Sequence, residues 1–214
     1  NSVDDGNTAS YDWTDAAIIP YVEIKGGVIN VTTTGDKGNG IKSEGNTTVN
    51  SSDAITLKLS GKASKGFKTG GNFTFTNGNV TISTSGNAFY DTDDADIAAA
   101  AGINCDGNFI MTQGTVAITS TGTAGKGISV DGTLTVNGGA ITIAASGASF
   151  TYGANTSEAK GIKSDGALTV NAGTISIAAT DDGIKSEASI VFNNGTVNIT
   201  KSTEGIEAPV ITFN

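Results

Sequence analysis

"GIKSDGALTVNAGTISIA", residues 161–178, divides into three short alternating runs, "GIKSDG", "LTVN" and "GTISIA", separated by Gly or Asn. The same pattern returns as "GIKSEGNTTVN" at 40–50, "GFKTGGNFTFTNGNVTIS" at 66–83, "GINCDGNFIMTQGTVAIT" at 102–119 and "GISVDGTLTVNGGAITIA" at 127–144. It continues with "GIKSEASIVFNNGTVNIT" at 183–200 and "GIEAPVITFN" from 205. The anchors Ile41, Phe67, Ile103, Ile128, Ile162, Ile184 and Ile206 mark successive units, with a shortest spacing of 22 residues. Self-similarity at this period, with β-branched residues alternating with polar ones, predicts stacked strands rather than helices. Three short strands per turn give an all-β, parallel β-helix (β-solenoid) of about seven to eight turns, expected to be right-handed by the chirality of parallel crossovers.

Period-two alternation assigns the faces. In "IKSDG" the Ile and Ser point inward and the Lys and Asp outward. The predicted inward columns are the seven anchors, then Phe73, Phe109, Leu134, Leu168 and Ile190, then Val80, Val116, Ile141, Ile175 and Val197. The single cysteine, Cys105, falls in a small inward column with Ser43, Thr69, Val130, Ser164 and Ser186, where it acts as a buried filler. "YVEIKGGVINVTTTG" at 21–35 aligns with "TLTVNGGAITIAASG" at 133–147, so the coil is expected over 21–214 with residues 1–20 as an N-terminal cap over the first edge. The final "ITFN" stops in mid-turn, an edge suited to a flanking domain or protomer.

The chain of 214 residues has 30 glycines, no histidine, no arginine and a net charge of −9. Such a balance argues against nucleic acid and anionic membrane as partners, because both require a cationic face. It favours divalent cations. A Thr/Asn/Gly-rich acidic chain with one cysteine and no 18-residue apolar run reads as a secreted or cell-surface protein.

Anchor spacings of 26, 36, 25, 34, 22 and 22 place two insertions at the same corner, residues 85–102 and 146–161. Both carry aromatics, Phe89 with Tyr90 and Phe150 with Tyr152. One turn lies between them, so at about 4.8 Å per strand they emerge roughly 10 Å apart and can wall a groove. The first insertion holds "YDTDDAD", whose acids Asp91, Asp93, Asp94 and Asp96 lead towards Asp106. An outward lysine column, Lys42, Lys68, Lys163 and Lys185, lapses to Asn104 and Ser129 beside Asp106 and Asp131. Stacked like charges repel without a neutraliser, so Ca²⁺ held by some of Asp91, Asp93, Asp94, Asp96, Asp106 and Asp131 is one reading. A solvated acidic loop without metal is the other.

The repeated "GIKSDGALTVNAGTISI", the "YDTDDAD" leading into "AAGINCDGN" and "GKGISVDGTLTVNGG" resemble bacterial carbohydrate-binding domain-containing proteins, a family with a right-handed parallel β-helix akin to polysaccharide lyases. The resemblance implies calcium binding and affinity for plant-type polysaccharides, including cellulose and acidic galacturonan, without an established catalytic activity. It also implies that the "YDTDDAD" aspartates, Asp106 and Asp131 are the calcium ligands.

From the residues themselves, three function classes compete. A polysaccharide binder uses the aromatic loops to stack on sugars and Lys126, Lys160 and Lys163 to meet carboxylates. A calcium-dependent, pectate lyase-like enzyme needs one of those lysines as base, since Arg and His are absent. A passive adhesin or spacer needs neither. Hydrolysis by paired carboxylates lacks a singled-out pair, and an ice-binding face lacks a regular Thr array.

Overall fold

The computed structural model describes residues 20–214, and the expected cap over residues 1–20 therefore lies, but for Pro20, outside the described residues. Among the described residues every regular element is a strand. They form a 13-stranded sheet, a 7-stranded sheet and two 2-stranded hairpins.

The 7-stranded sheet contains the first run of each repeat, from Asn39–Ser43 through Lys65–Thr69, Ala101–Cys105, Lys126–Val130, Ile162–Ser164 and Ile184–Ser186 to Ile206–Glu207. All its pairings are parallel, and their register stacks Ile41, Phe67, Ile103, Ile128, Ile162, Ile184 and Ile206 in one column. The same registers stack Ser43, Thr69, Cys105, Val130, Ser164 and Ser186, all buried, which confirms Cys105 as an interior filler.

The second and third runs share the larger sheet. In two repeats they are one continuous strand, Asn46–Leu59 and Phe73–Thr84. In four later repeats they separate at Gly114, Gly139, Gly173 and Gly195, whose φ values of 83–103° lie in the region that side chains avoid. The Phe73, Phe109, Leu134, Leu168, Ile190 column and the Val80, Val116, Ile141, Ile175, Val197 column are both in register as the alternation predicts. Tyr21–Ile24 and Ile29–Thr33 pair with Asn46–Leu59, so the second and third runs of a further repeat do precede Ile41.

These columns are the core. Phe67 meets Phe73 edge-on with centroids 5.2 Å apart, and Phe73 stacks on Phe109 at 5.5 Å. Each fully buried aliphatic side chain in such a stack contributes about 2 kcal/mol of transfer free energy. Asparagines add a polar rail along the outside: Asn171 donates its side-chain amide to Asn137 (2.8 Å), Asn193 to Asn171 (2.7 Å) and Asn214 to Asn193 (2.6 Å).

The corner after the third run sets how closely repeats approach. Gly61, Gly86, Gly122 and Gly147 stack there with no room for a side chain, each against the carbonyl of the corner glycine one repeat before it, beginning with Gly35. A Cβ at Gly61 would lie 1.9 Å from the Gly35 carbonyl oxygen, one at Gly86 1.7 Å from that of Gly61, and one at Gly122 1.9 Å from that of Gly86. Backbone cannot yield there as a flexible side chain would. Gly122→Ala is therefore expected to destabilise the protein by about 3 kcal/mol, read as a lowered denaturation midpoint at unchanged slope. An unchanged midpoint would show that the corner has slack.

Candidate functional site

Two of the stacked corner glycines, Gly86 and Gly147, lead into hairpins. The first pairs Phe89–Asp91 with Asp96–Ala98 and turns through Ala95 at a φ of 52°. The second pairs Phe150–Tyr152 with Asn155–Ser157 through Gly153 at a φ of 60°. Tyr90 of one hairpin stacks on Tyr152 of the other, with ring centroids 4.1 Å apart and planes 15° from parallel. That contact couples the two insertions.

Both hairpins line a groove of about 620 Å³ over the 7-stranded sheet. Asp96, Ile97 and Ala98 come from the first hairpin and Asn155, Thr156, Ser157 from the second. The sheet and its corner supply Lys65, Ala101, Asn104, Lys126, Ser129, Lys160 and Lys163. In a chain of net charge −9 this concentration of lysine is local and opposite in sign.

The lysines differ in their partners. Lys160 is buried and bridges Glu158, Asp181 and Asp182. Burial works against its charge, but those three carboxylates outweigh it and hold its pKa above the ordinary lysine value. Lys163 pairs with Asp165. Lys65 and Lys126 have no carboxylate partner among the described residues. Lys65 donates to the Ala99 carbonyl, and Lys126 to Ser157 Oγ at 3.0 Å and more weakly to the Ala124 carbonyl. Burial, and then the neighbouring lysine charges, lower each of these two to about 8.

The sequence-predicted lysines Lys126, Lys160 and Lys163 all line the groove, and burial lowers the pKa of Lys126. Lys65 was not foreseen. The aromatics have divided tasks. Phe150 packs with Ile97 against Ala88, Ala99 and Ala124, flanking the main core, while Phe89 lies beneath the Lys37 ammonium, 5.9 Å from its ring centre. Tyr90 and Tyr152 spend one face on each other, and Tyr152 keeps 53% of its surface exposed.

The six predicted acids are spread along one side. Asp91 is buried and ion-paired to Lys37, which lowers its pKa chiefly through that hydrogen bond. Asp93 and Asp94 stand exposed in the turn, and Asp96 lines the groove with one oxygen accepting from the Ile97 amide at 2.7 Å. Asp106 takes its cation from Lys68, one strand back in the same sheet. The lapse of the lysine column at Asn104 is thus bridged diagonally. Asp131 has no ion pair among the described residues, and burial followed by the charges of Asp106 and Asp165 raises its pKa.

A different acidic group does converge. Carboxylate oxygens of Asp181, Asp182 and Glu204 lie within 4.8 Å of one another and could hold a metal ion. Lys160 supplies the counter-charge to the first two, so a metal there would compete with an ammonium group already in contact.

An all-β stack of parallel strands with a saccharide-sized, lysine-floored groove between paired hairpins defines a protein built around a surface cleft. A family model of carbohydrate-binding domain-containing proteins matches residues 1–205, and the chain belongs to that family. No curated protein and no solved structure matches it.

Lowered lysine pKa values have a sign that can be measured. Below about pH 8 both folded and unfolded chains hold the protons, and the fold bears the full cost of two buried charges. Between about 8 and the ordinary value of 10.5 the folded chain releases them first, so that cost fades as pH rises. Lys65→Met and Lys126→Met should each stabilise the protein at pH 7, by up to about 3 kcal/mol, with the gain over wild type vanishing by about pH 10.5 in thermal melts. A gain independent of pH would contradict burial as its cause.

Proposed function

We propose that the protein is a non-catalytic binder of polysaccharide at the bacterial surface, and that the groove between the hairpins is where the chain lies. The observation that carries this reading is the groove itself, lined by both insertions and floored by lysines, in a member of a carbohydrate-binding family. Residues 21–214 wind as a right-handed parallel β-helix resembling that of polysaccharide lyases, with insertions at 85–102 and 146–161. The in-register parallel ladders support that reading. The ligand class is an acidic plant-type glycan such as polygalacturonate, with cellulose as the neutral counterpart. The exposed face of Tyr152 offers a stacking surface, and Lys126 and Lys163 meet carboxylates.

The metal in this proposal is Ca²⁺ at the first hairpin. Asp93, Asp94 and Asp96 are exposed and free of lysine partners among the described residues, and oxygen donors of this kind suit a hard cation. Bound there, Ca²⁺ would bring positive charge to the acidic rim.

Electrophoresis in gels containing polygalacturonate should retard the protein, and EDTA should weaken the retardation. Pull-down on cellulose tests the neutral ligand in parallel. Absence of retardation and pull-down alike would leave the spacer reading. Titration of metal-stripped protein with Ca²⁺ should give a heat that Asp93→Ala and Asp94→Ala diminish several-fold. No calcium response in either heat or melting temperature would remove the metal from the proposal.

One observation favours a second reading, a polysaccharide lyase. Lys126, lowered to about 8 and lining the groove, is suited to act as a general base. Unsaturated uronate products absorbing at 235 nm would establish elimination.

A further inference from the structure

We propose that Lys65 and Lys126, one on each side of Ala101, form an anion subsite that takes the carboxylate or sulfate-ester group of an acidic saccharide. This rests on the glycan-binding reading and adds to it a chemical class, a position and a proton. The register is explicit: Ala101 is the strand partner of both Lys65 and Lys126. Their backbones are thus two strand spacings apart, roughly 10 Å, and between them the sheet presents only a methyl group. All three residues line the groove.

The two ammonium groups are uncompensated. Lys65 donates to one carbonyl, and Lys126 to a hydroxyl and a carbonyl. Three N–H donors per ammonium leave each with donors to spare. The acids that face them are engaged elsewhere: Glu158 with Lys160, Asp106 with Lys68, and Asp96 with the Ile97 amide. Lys68, Lys160 and Lys163 add further positive charge. Two half-buried cations that repel each other and lack a counter-ion favour an anion in the space between them.

The same geometry makes binding proton-linked. An anion at the notch stabilises the charged lysines and raises their pKa from about 8, so the complex takes up protons at about pH 8 and above. Affinity then falls as pH rises through 8 to 9, well below the range in which an exposed lysine loses its charge. Over that interval binding should weaken by roughly tenfold or more.

Calorimetry with trigalacturonate, with its methyl ester and with a sulfated galactan oligosaccharide is the test, run at about pH 8 in triethanolamine and in Tris, neither of which is an anion. The expected result is binding of at least one anionic ligand, none or much weaker binding of the ester, and a heat that differs between buffers by the protons taken up. Which anion binds more tightly identifies carboxylate or sulfate as the source. Lys65→Met and Lys126→Met should each weaken binding about tenfold, while Lys185→Met, paired to Glu207 away from the groove, should not. Because the first two variants are expected to melt higher than wild type, lost binding is separable from lost folding. Tight anion binding that survives the double variant, or an affinity flat to pH 9.5, would overturn the subsite while leaving glycan binding intact. Cellulose binding without any anion binding would do the same. Failure of every saccharide would overturn both readings.

Discussion

The whole stack depends on backbone contact at one corner. Where the carbonyl of one repeat occupies the space in which the next repeat's Cβ would stand, strands can approach to hydrogen-bonding distance and keep one register through successive repeats. Gly61, Gly86, Gly122 and Gly147 allow that approach without a positive φ. Their role is the removal of volume. A register held at the corner in these repeats is inherited by the runs on either side, and the later repeats, with Asp181 and Thr203 at that place, continue it through their ladders.

The same corner explains where variation is tolerated. After Gly35, Gly61 and Gly122 the chain crosses by a short link whose second residue, Lys37, Ala63 or Ala124, has a φ of 50–54°. After Gly86 and Gly147 it departs as a hairpin and returns in register. A rigid stack can therefore carry long excursions without disturbing its ladders, and the excursions find each other outside it through Tyr90 and Tyr152. The groove is what the excursions and the sheet enclose together.

The inward columns were legible in the sequence because burial selects the same residue class at each repeat, and alternation then reads as periodicity. Lys65 was not legible in this way. It occupies the position before the recurrent Gly, which reads Asn39, Lys65, Ala101, Lys126, Lys160, Asp182 and Glu204 along the chain. No common chemistry is imposed on that column, so a repeat alignment treats it as noise. Read down the stack, it has a pattern: Lys160 meets the Asp182 that follows it, whereas Lys65 and Lys126 have a methyl group between them. The pairing of Asp106 with Lys68 was hidden for a related reason, since it runs to the preceding strand and not along its own. The Tyr90–Tyr152 contact has no periodic signal, because hairpin conformations outside the ladders are set by local turns such as those at Ala95 and Gly153.

The repeat between the two insertions, with its short link at Gly122, acts as a spacer of fixed thickness. Groove length in such a stack is a whole number of strand spacings, each about 4.8 Å. Adding one uninserted repeat would increase the distance between the hairpins by one such step. A family of these proteins could thus be graded in the ligand length it spans by counting repeats, as a ruler is read by its divisions, with no change in any residue that touches the ligand.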